Sequence, residues 1–128
     1  MTEGRLFYAW DGVPERIDVS HPGILRRDLV GQRLMITRYV LRQGISLPPH
    51  QHPHEQFTHI LSGRIRIVAG TEARVLGPGE VSYIPPDLPH AFEVLEETVC
   101  LDIYSPPRED HLLQYPAGET PLPRGEIR

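Results

Sequence analysis

Three histidines and one glutamine have the side-chain types and the spacing of a metal site. His50, His52 and Gln56 lie in one short segment, and His90 follows far downstream. In an extended chain alternate side chains share a face, so His50 and His52 point the same way. Imidazole nitrogens and an amide oxygen suit divalent transition metals such as Ni, Zn, Mn, Fe or Co. The pattern therefore predicts one ion held by these four side chains, with open positions for a small molecule.

The fourth ligand stays open between two residues. His54 and Gln56 both continue the parity of the upstream pair, but the intervening proline interrupts regular pairing and favours a bend. That bend would let either side chain turn back toward the ion. His59 has the opposite parity to Gln56 and is expected to face outward or to pack. His21 and His111 have polar, proline-flanked surroundings, and both are expected to be exposed.

Length, charge and cysteine content narrow the classes of function. A chain of 128 residues makes one domain. The formal net charge of -4 and a sequence pI near 5.9 give no basic surface for nucleic acid. A single cysteine, Cys100, excludes a disulfide framework within the chain and a cysteine-based zinc site. These properties favour a protein that acts on a small molecule.

The sequence also carries expectations about location and domain limits. The first twelve residues lack a basic region followed by an apolar run, so no signal peptide is expected. No apolar stretch approaches the ~20 residues that span a bilayer, and a cytoplasmic location is predicted. Residues 1–115 are expected to form the single domain. Residues 116–128 have the composition of an extended or poorly ordered tail.

The predicted secondary structure is almost entirely short β-strands. Fourteen prolines and eleven glycines interrupt the chain too often for long helices. Turns are expected at Ser62-Gly63, Gly70-Thr71 and residues 77–79, and one helical turn at residues 108–113. Such closely spaced strands favour an antiparallel barrel or sandwich, an all-β fold. The predicted strands are residues 6–10, 16–19, 33–41, 57–61, 64–69, 72–76, 81–84, 91–95 and 98–104.

Two apolar segments predict contact with a second layer or a second subunit. In the last predicted strand Cys100, Asp102 and Tyr104 share one face, which fits a polar pocket. The opposite face is wholly apolar and must meet either the opposing sheet or a partner subunit. Residues 6–10 are apolar and aromatic, and such strands in small barrels commonly extend a neighbour's sheet. We therefore expect a twofold homodimer.

The two histidine-bearing segments resemble the motifs of the cupin superfamily, which are small β-barrels with a histidine-rich metal site inside. Residues 44–63 resemble the first motif, with Gln56 where glutamate is commonest. Residues 79–90 resemble the second, with Asp87 in place of a usual glycine. The resemblance covers residues 34–105 and implies a jelly-roll, or double-stranded β-helix, barrel. It does not imply one reaction, because cupins include oxygenases, isomerases, lyases and non-enzymatic binders.

A narrower resemblance points to single-domain cupins that linearise unsaturated uronates released from pectin or alginate. It rests on residues 50–56 together with residues 101–110. In those proteins a glutamine ligates the metal and an aspartate of the last strand is implicated in catalysis. The resemblance therefore implies Gln56 as fourth ligand and Asp102 as the proton-transfer residue. Tyr104 stands where phenylalanine is usual, so its ring would shape the pocket while its hydroxyl is a departure.

These residues predict a particular chemistry. With three neutral imidazoles and the Gln56 amide, the site keeps the full +2 charge, which attracts an anionic substrate and favours Lewis-acid chemistry. Asp102 would act as general acid–base, typically worth ~10²–10⁴-fold, and Arg108 is a candidate for binding a substrate carboxylate. The expected function is ring opening or isomerisation of unsaturated uronates or a related oxo-acid. The alternatives are an Fe(II) dioxygenase and a non-catalytic protein that binds a sugar acid or a metal.

Overall fold

The computed structural model describes residues 6–123 and places them in eight β-strands, one 3-10 turn and one short α-helix. The 3-10 turn is Trp10–Gly12, and the helix, α1, is Glu109–Leu112. The predicted all-β class is confirmed, and so is the helical turn near residue 110. The strands are β1 (Arg16–Ile17), β2 (Ile24–Val30), β3 (Met35–Leu41), β4 (Ser46–His50), β5 (Glu55–Ala69), β6 (Glu72–Leu76), β7 (Val81–Ile84) and β8 (His90–Ser105).

Two long strands, β5 and β8, connect both halves of an antiparallel jelly roll. The first half of β5 pairs with β7 and its second half with β6. Similarly, β8 pairs with β4 near its start and with β3 near its end, and it pairs with β5 throughout. The path β1-β2-β3-β8-β5-β6 completes the sheet. Each long strand crosses from one half to the other. Even-numbered side chains of β8 face the interior along its whole length, whereas in β5 the interior side chains change from even to odd numbers between Ile60 and Ile65.

The predicted turn at Ser62-Gly63 is wrong, because β5 runs through it without a break. The register between β5 and β8 shifts there instead, which makes a bulge. Gly63 has φ +91, and a Cβ added to it would lie 2.2 Å from the carbonyl oxygen of Glu97. A glycine with positive φ serves a hairpin and a bulge equally well, so the sequence pattern did not separate the two. The two strands predicted at residues 91–95 and 98–104 likewise form one strand.

Two of the shorter predicted strands are confirmed residue by residue, namely β6 and β7, and the turn at Gly70-Thr71 joins β5 to β6. The strand predicted at residues 6–10 is wrong. Residues 6–9 pair with no strand of the described chain, and Leu6 and Phe7 are 84% and 89% exposed. Within one copy of the chain, these apolar residues therefore do not form a strand.

Strand β2 is not among the predicted strands, because charged residues interrupt its apolar alternation. Arg26 is nonetheless fully buried, with 0% exposure. Its Nε donates to Asp18 at 2.9 Å, and its other nitrogens donate to Asp28 and to the side chain of Gln114. A buried charge is tolerated where such partners surround it. This network joins β2 to the segment after β8.

That segment, residues 106–123, lies against the β2 side of the barrel. Leu122 is 6% exposed, forms a parallel bridge with Leu29, and accepts a hydrogen bond from the backbone of Val30. The remainder of the predicted tail, residues 124–128, lies outside the described residues. Among residues 6–123, no helix has the length and apolar character that crossing a membrane requires.

Candidate metal centre and substrate cavity

The ends of three strands bring the predicted ligands together. His50 closes β4, Gln56 stands near the start of β5, and His90 opens β8. His50 and His90 are direct cross-strand partners. His52 lies in the loop between β4 and β5, where its carbonyl oxygen accepts a hydrogen bond from the backbone of Asp87 at 2.9 Å. This bond ties the two histidine-bearing segments to each other.

Asp87 adopts the left-handed backbone region at that point, with φ +65. Aspartate tolerates this conformation better than most residues other than glycine. The departure from the usual glycine therefore leaves the turn before His90 intact.

The three histidines form one compact cluster. One ring nitrogen from each of His50, His52 and His90 lies within 4.8 Å of the other two. Their ring centroids are 4.3 Å apart for His50 and His90, 4.9 Å for His52 and His90, and 6.0 Å for His50 and His52. Mutual distances of this size are compatible with a shared ion.

Hydrogen bonds at the far side of each ring leave the Nε2 atoms for the ion. The Nδ1 of His50 bonds the carbonyl of Pro48 at 3.1 Å, and the Nδ1 of His90 bonds the carbonyl of Leu88 at 2.8 Å. A second ring nitrogen anchored in this way is the usual companion of a metal-ligating histidine. The Nε2 of His52 is buried and has no hydrogen-bond partner among the described residues. A metal ion would supply the partner that this atom lacks.

His54 lies behind His52, outside this cluster. It is 9% exposed, and its Nδ1 is 3.2 Å from the Nδ1 of His52. This contact engages the Nδ1 side of the His52 ring, which points away from His50 and His90, and it fixes the orientation of the His52 ring. The geometry thus makes His54 a partner that orients the candidate ligand His52, and the position of its ring does not support the alternative in which it replaces Gln56.

Gln56 lies in the same cavity with its amide already oriented. The side chain is 8% exposed, and its Nε2 donates to Thr58 at 3.0 Å and to Asp102 at 3.3 Å. Because the nitrogen end is engaged, the carbonyl oxygen is the end that remains for an ion. The donor set therefore fits a divalent transition metal, as the sequence predicts.

Burial keeps these imidazoles in the neutral form that binds metal. Burial, followed by the positive charge of Arg108, lowers the pKa of His52 to about 3. Burial also lowers the pKa of His90. Neutral imidazoles need not release a proton when they take up an ion.

A chain of hydrogen bonds runs from the metal centre along the interior face of β8. Asp102 Oδ2 accepts from Tyr104 at 3.0 Å as well as from Gln56, and the hydroxyls of Tyr104 and Tyr39 are 2.9 Å apart. Burial raises the pKa of Asp102 to about 6. Tyr39 is not among the predicted site residues, although the alternation of buried residues along β3 places it on the interior face.

Arg108 lies above this chain, at the start of the segment that follows β8. Its guanidinium carbon is 5.1 Å from the centroid of the Tyr104 ring. Its Nε and Nη2 donate to the two oxygens of Asp110, at 3.0 and 2.6 Å. Burial alone would lower the pKa of Arg108, but the bond to Asp110 and the nearby tyrosines raise it above its usual value. Arg108 is thus a fixed positive charge that faces the cavity.

The expectation that His111 is exposed is wrong. It is 6% exposed and its ring stands edge-on to Tyr104 and Tyr39, with centroid distances of 5.8 and 6.5 Å. Burial, Arg108 and Arg26 together lower its pKa to about 3. Its sequence neighbours are polar because α1 buries only this residue, which is why local composition misled.

Except for His52 and His54, these groups line one cavity of about 540 Å³ inside the barrel. Its volume lies in the ordinary range for small-molecule sites. The polar lining includes His50, Gln56, His90, Asp102 and Arg108, and the other part of the wall is made of apolar side chains from β3 to β8. The structure thus brings every predicted site residue except His52 into the wall of one cavity, and His52 belongs to the cluster at its edge.

Comparison with known proteins agrees with this geometry. A family model described as "Cupin domain" matches residues 37–104. The solved structure of KdgF from Halomonas sp. is 30% identical, with a TM-score of 0.75 over 82% of this chain and 98% of that one. No curated protein shows a significant sequence match.

Two more distant structures share the fold alone. An RmlC-like cupin from Shewanella frigidimarina is 23% identical with a TM-score of 0.76, over 86% of this chain and 98% of that one. An oxalate decarboxylase of Bacillus subtilis is 18% identical with a TM-score of 0.71, and the match covers 87% of this chain but 32% of the decarboxylase.

Proposed function

The chain belongs to the cupin family, and we propose that it is a metal-dependent enzyme that opens or isomerises unsaturated uronates or a related oxo-acid. The observation that carries the proposal is the direct hydrogen bond between Asp102 and Gln56. It places a buried carboxyl group beside the predicted metal centre. Acid–base chemistry and metal chemistry can then act on the same substrate.

His50, His52, His90 and Gln56 are the residues that would hold the ion. When bound, the ion would act as a Lewis acid that polarises a substrate oxygen. The cavity beside it is enclosed by β3, β5 and β8 and by the segment after β8.

Asp102 would transfer the proton. Its Oδ2 is engaged by Gln56 and Tyr104, whereas the contact of Oδ1 is a weak one, with the Cys100 sulfur at 3.9 Å. Oδ1 is therefore the atom at which a proton would be held and released. A carboxyl group with a pKa near 6 exchanges protons readily close to neutral pH. Opening an unsaturated uronate requires such proton movements around an enol-like carbon and the ring oxygen.

Arg108 would bind the substrate carboxylate. Asp110 holds the guanidinium at Nε and Nη2, which fixes its plane and presents its remaining edge to the cavity. A guanidinium constrained in this way loses little conformational entropy when it binds an anion. Together with a dipositive ion, it makes the polar end of the cavity attractive to an acid.

The choice of unsaturated uronates as the first substrates rests on likeness. The motifs around residues 50–56 and 101–110 resemble those of uronate-linearising cupins, and KdgF from Halomonas is 30% identical over nearly its whole length. Tyr104 is the departure, and its hydroxyl adds a second donor to Asp102.

The proposal is tested with unsaturated monouronate generated freshly by a lyase. Metal-loaded protein should accelerate the loss of the substrate's ultraviolet absorbance, and Asp102→Asn should lower that rate by ~10²–10⁴-fold. Asp11→Asn, at an exposed position, is the matched control and should leave the rate unchanged. Metal content is measured in each variant, because Asp102 also orients Gln56. Decay no faster than in buffer with each of the five candidate metals would reject the uronate reaction.

An Fe(II) dioxygenase is the second candidate, and the apolar part of the cavity wall favours it. Aromatic or diketone substrates of such enzymes suit a wall that contains Ile65 and Phe92. Oxygen consumption by the iron-loaded protein in the presence of catechols or diketones separates this reaction from the first.

We also propose a twofold homodimer, supported by an apolar patch on the outside of the barrel. Tyr83, Phe57 and Ile103 are aligned across β7, β5 and β8, and they are 44%, 46% and 38% exposed. Patches of this kind mark interaction surfaces. Leu6 and Phe7 are also exposed and apolar. In a dimer, the Leu6 and Phe7 side chains of the second copy are available to cover this patch. The cytoplasmic location stays a prediction.

A further inference from the structure

The cavity has an apolar wall that the proposed reaction does not use. Leu47 of β4, Phe92 of β8 and Ile67 of β5 are aligned across three paired strands and line the cavity. All three are partly buried and pack on the hydrophobic core beneath them. Side chains that are only partly covered inside a cavity offer apolar surface to whatever fills it.

This wall begins next to the metal centre. Phe92 follows His90 by two residues on the same strand, so the two side chains share a face about 7 Å apart. On the other side, Leu47 pairs with Phe92 just as His50 pairs with His90. A ligand held at the metal therefore reaches the apolar wall with its next few atoms.

The wall discriminates between classes of acid. A hydroxyl placed against Leu47, Ile67 and Phe92 would lose its hydrogen bonds to water without replacement, which is costly. A hydrocarbon group in the same place gains about fourfold in affinity for each methylene buried. The apolar lining thus works against a substrate that carries hydroxyls along its whole length.

We propose that the ligand of this cavity has two unlike ends, an anionic oxygen-rich head at the metal and a hydrocarbon or aromatic body on the Leu47–Phe92–Ile67 wall. This inference rests on the proposed metal site. Among the substrates proposed above, it favours the related oxo-acids that have an apolar body over the hydroxyl-bearing uronates. The cavity volume of about 540 Å³ leaves room for such a body beside the chelating head.

Binding to the nickel-loaded protein tests the inference without any turnover. The probes are pyruvate, 2-oxobutanoate, 2-oxohexanoate and phenylpyruvate, with galacturonate as a hydroxyl-rich acid of equal charge. Isothermal titration calorimetry should show affinity rising about fourfold per added methylene, with a negative heat-capacity change. Galacturonate should bind more weakly than 2-oxohexanoate. An affinity that is flat along the series, or galacturonate as the tightest ligand, would overturn the inference.

Substitutions on opposite faces of one strand supply the matched comparison. Ile67→Thr puts a hydroxyl into the wall and shortens the side chain by one heavy atom, and it should reduce the affinity ratio of 2-oxohexanoate to pyruvate by at least threefold. Val68→Thr, whose side chain points to the other face of β5, should leave the ratio unchanged. Equal ratios in the two variants would contradict the proposal.

Failure of the metal site is detected separately. Nickel is first titrated alone, so that absence of metal binding rejects the proposed function before any acid is added. If nickel binds and none of the acids does, the two-ended ligand is rejected while the metal site stands.

Discussion

At the scale of single residues, the candidate site depends on which nitrogen of each histidine is occupied. Backbone carbonyls hold the Nδ1 atoms of His50 and His90, and His54 holds that of His52. The candidate ligand atoms are therefore fixed in direction, which would lower the entropy lost on binding an ion. His54 matters in this arrangement even though its own ring lies outside the cluster.

Loss of His54 should weaken metal binding although its ring lies outside the cluster of His50, His52 and His90. His54→Phe keeps a buried ring but removes the partner of His52 Nδ1, and we expect the dissociation constant for nickel to rise by about 10–100-fold. Competition with a chromogenic chelator measures it. His59→Phe, on the outer face of β5, is the control and should bind as tightly as the unaltered protein. Equal affinities in the two variants would remove His54 from the site.

His111 should make the fold sensitive to mild acid. Its pKa is about 3 in the folded chain and 6.5 in its ordinary state. Below pH 6.5 the unfolded chain therefore takes up a proton that the folded chain does not, and stability falls as the pH drops toward 3. The groups around it are Arg108, Arg26, Asp110 and Asp18.

The variant His111→Phe should lose this part of the pH dependence. Between pH 7 and 5 the metal-free unaltered protein should lose about 2 kcal/mol more of its unfolding free energy than the variant does. Urea denaturation at the two pH values measures the difference. Parallel losses in both proteins would show that His111 is not held neutral.

At the scale of secondary structure, the continuity of β5 and β8 determines where the site forms. Each strand serves both halves of the barrel, so a residue near the start of β5, Gln56, is brought beside Asp102 near the end of β8. The bulge at Gly63 absorbs the change in register between the halves. It also reverses the parity of the interior side chains, from Gln56 and Thr58 before the bulge to Ile65 and Ile67 after it.

The bulge should not tolerate a side chain. Gly63→Ala would combine a positive φ with a Cβ 2.2 Å from the oxygen of Glu97, and we expect it to destabilise the fold by more than about 2 kcal/mol. Gly12→Ala is the matched control, because a Cβ there meets nothing within 4 Å. Thermal and urea unfolding of both variants measure the effect. A Gly63→Ala protein as stable as Gly12→Ala would mean that the bulge is not formed in solution.

At the scale of the whole molecule, the inner faces of the strands line the cavity, and part of their outer faces exposes apolar side chains to water. The patch around Phe57 is the outer counterpart of the interior face that carries Gln56 and Asp102. A partner on this patch would cover the strands from behind and leave the cavity open to ligands.

The dimer is checked by light scattering coupled to size exclusion. The unaltered protein should have twice the mass of one chain, and Phe57→Glu should shift it to the monomer, because a carboxylate cannot be buried in the patch without a partner. Arg66→Glu, on the exposed outer side of β5 but in its second half, is the control and should stay dimeric. A monomeric unaltered protein would disprove the assembly.

The sequence alone determined the all-β barrel, the histidines that cluster as His50, His52 and His90, and the shared strand face of Asp102 and Tyr104. These features follow from local rules. The face on which a side chain lies, and the turns that proline and glycine favour, both depend on residues that are close in sequence. Only the tertiary structure decided the roles of His54, His111, Arg26 and Tyr39. Their burial and partners come from segments far apart in the chain, and distance in sequence gives no measure of distance in space.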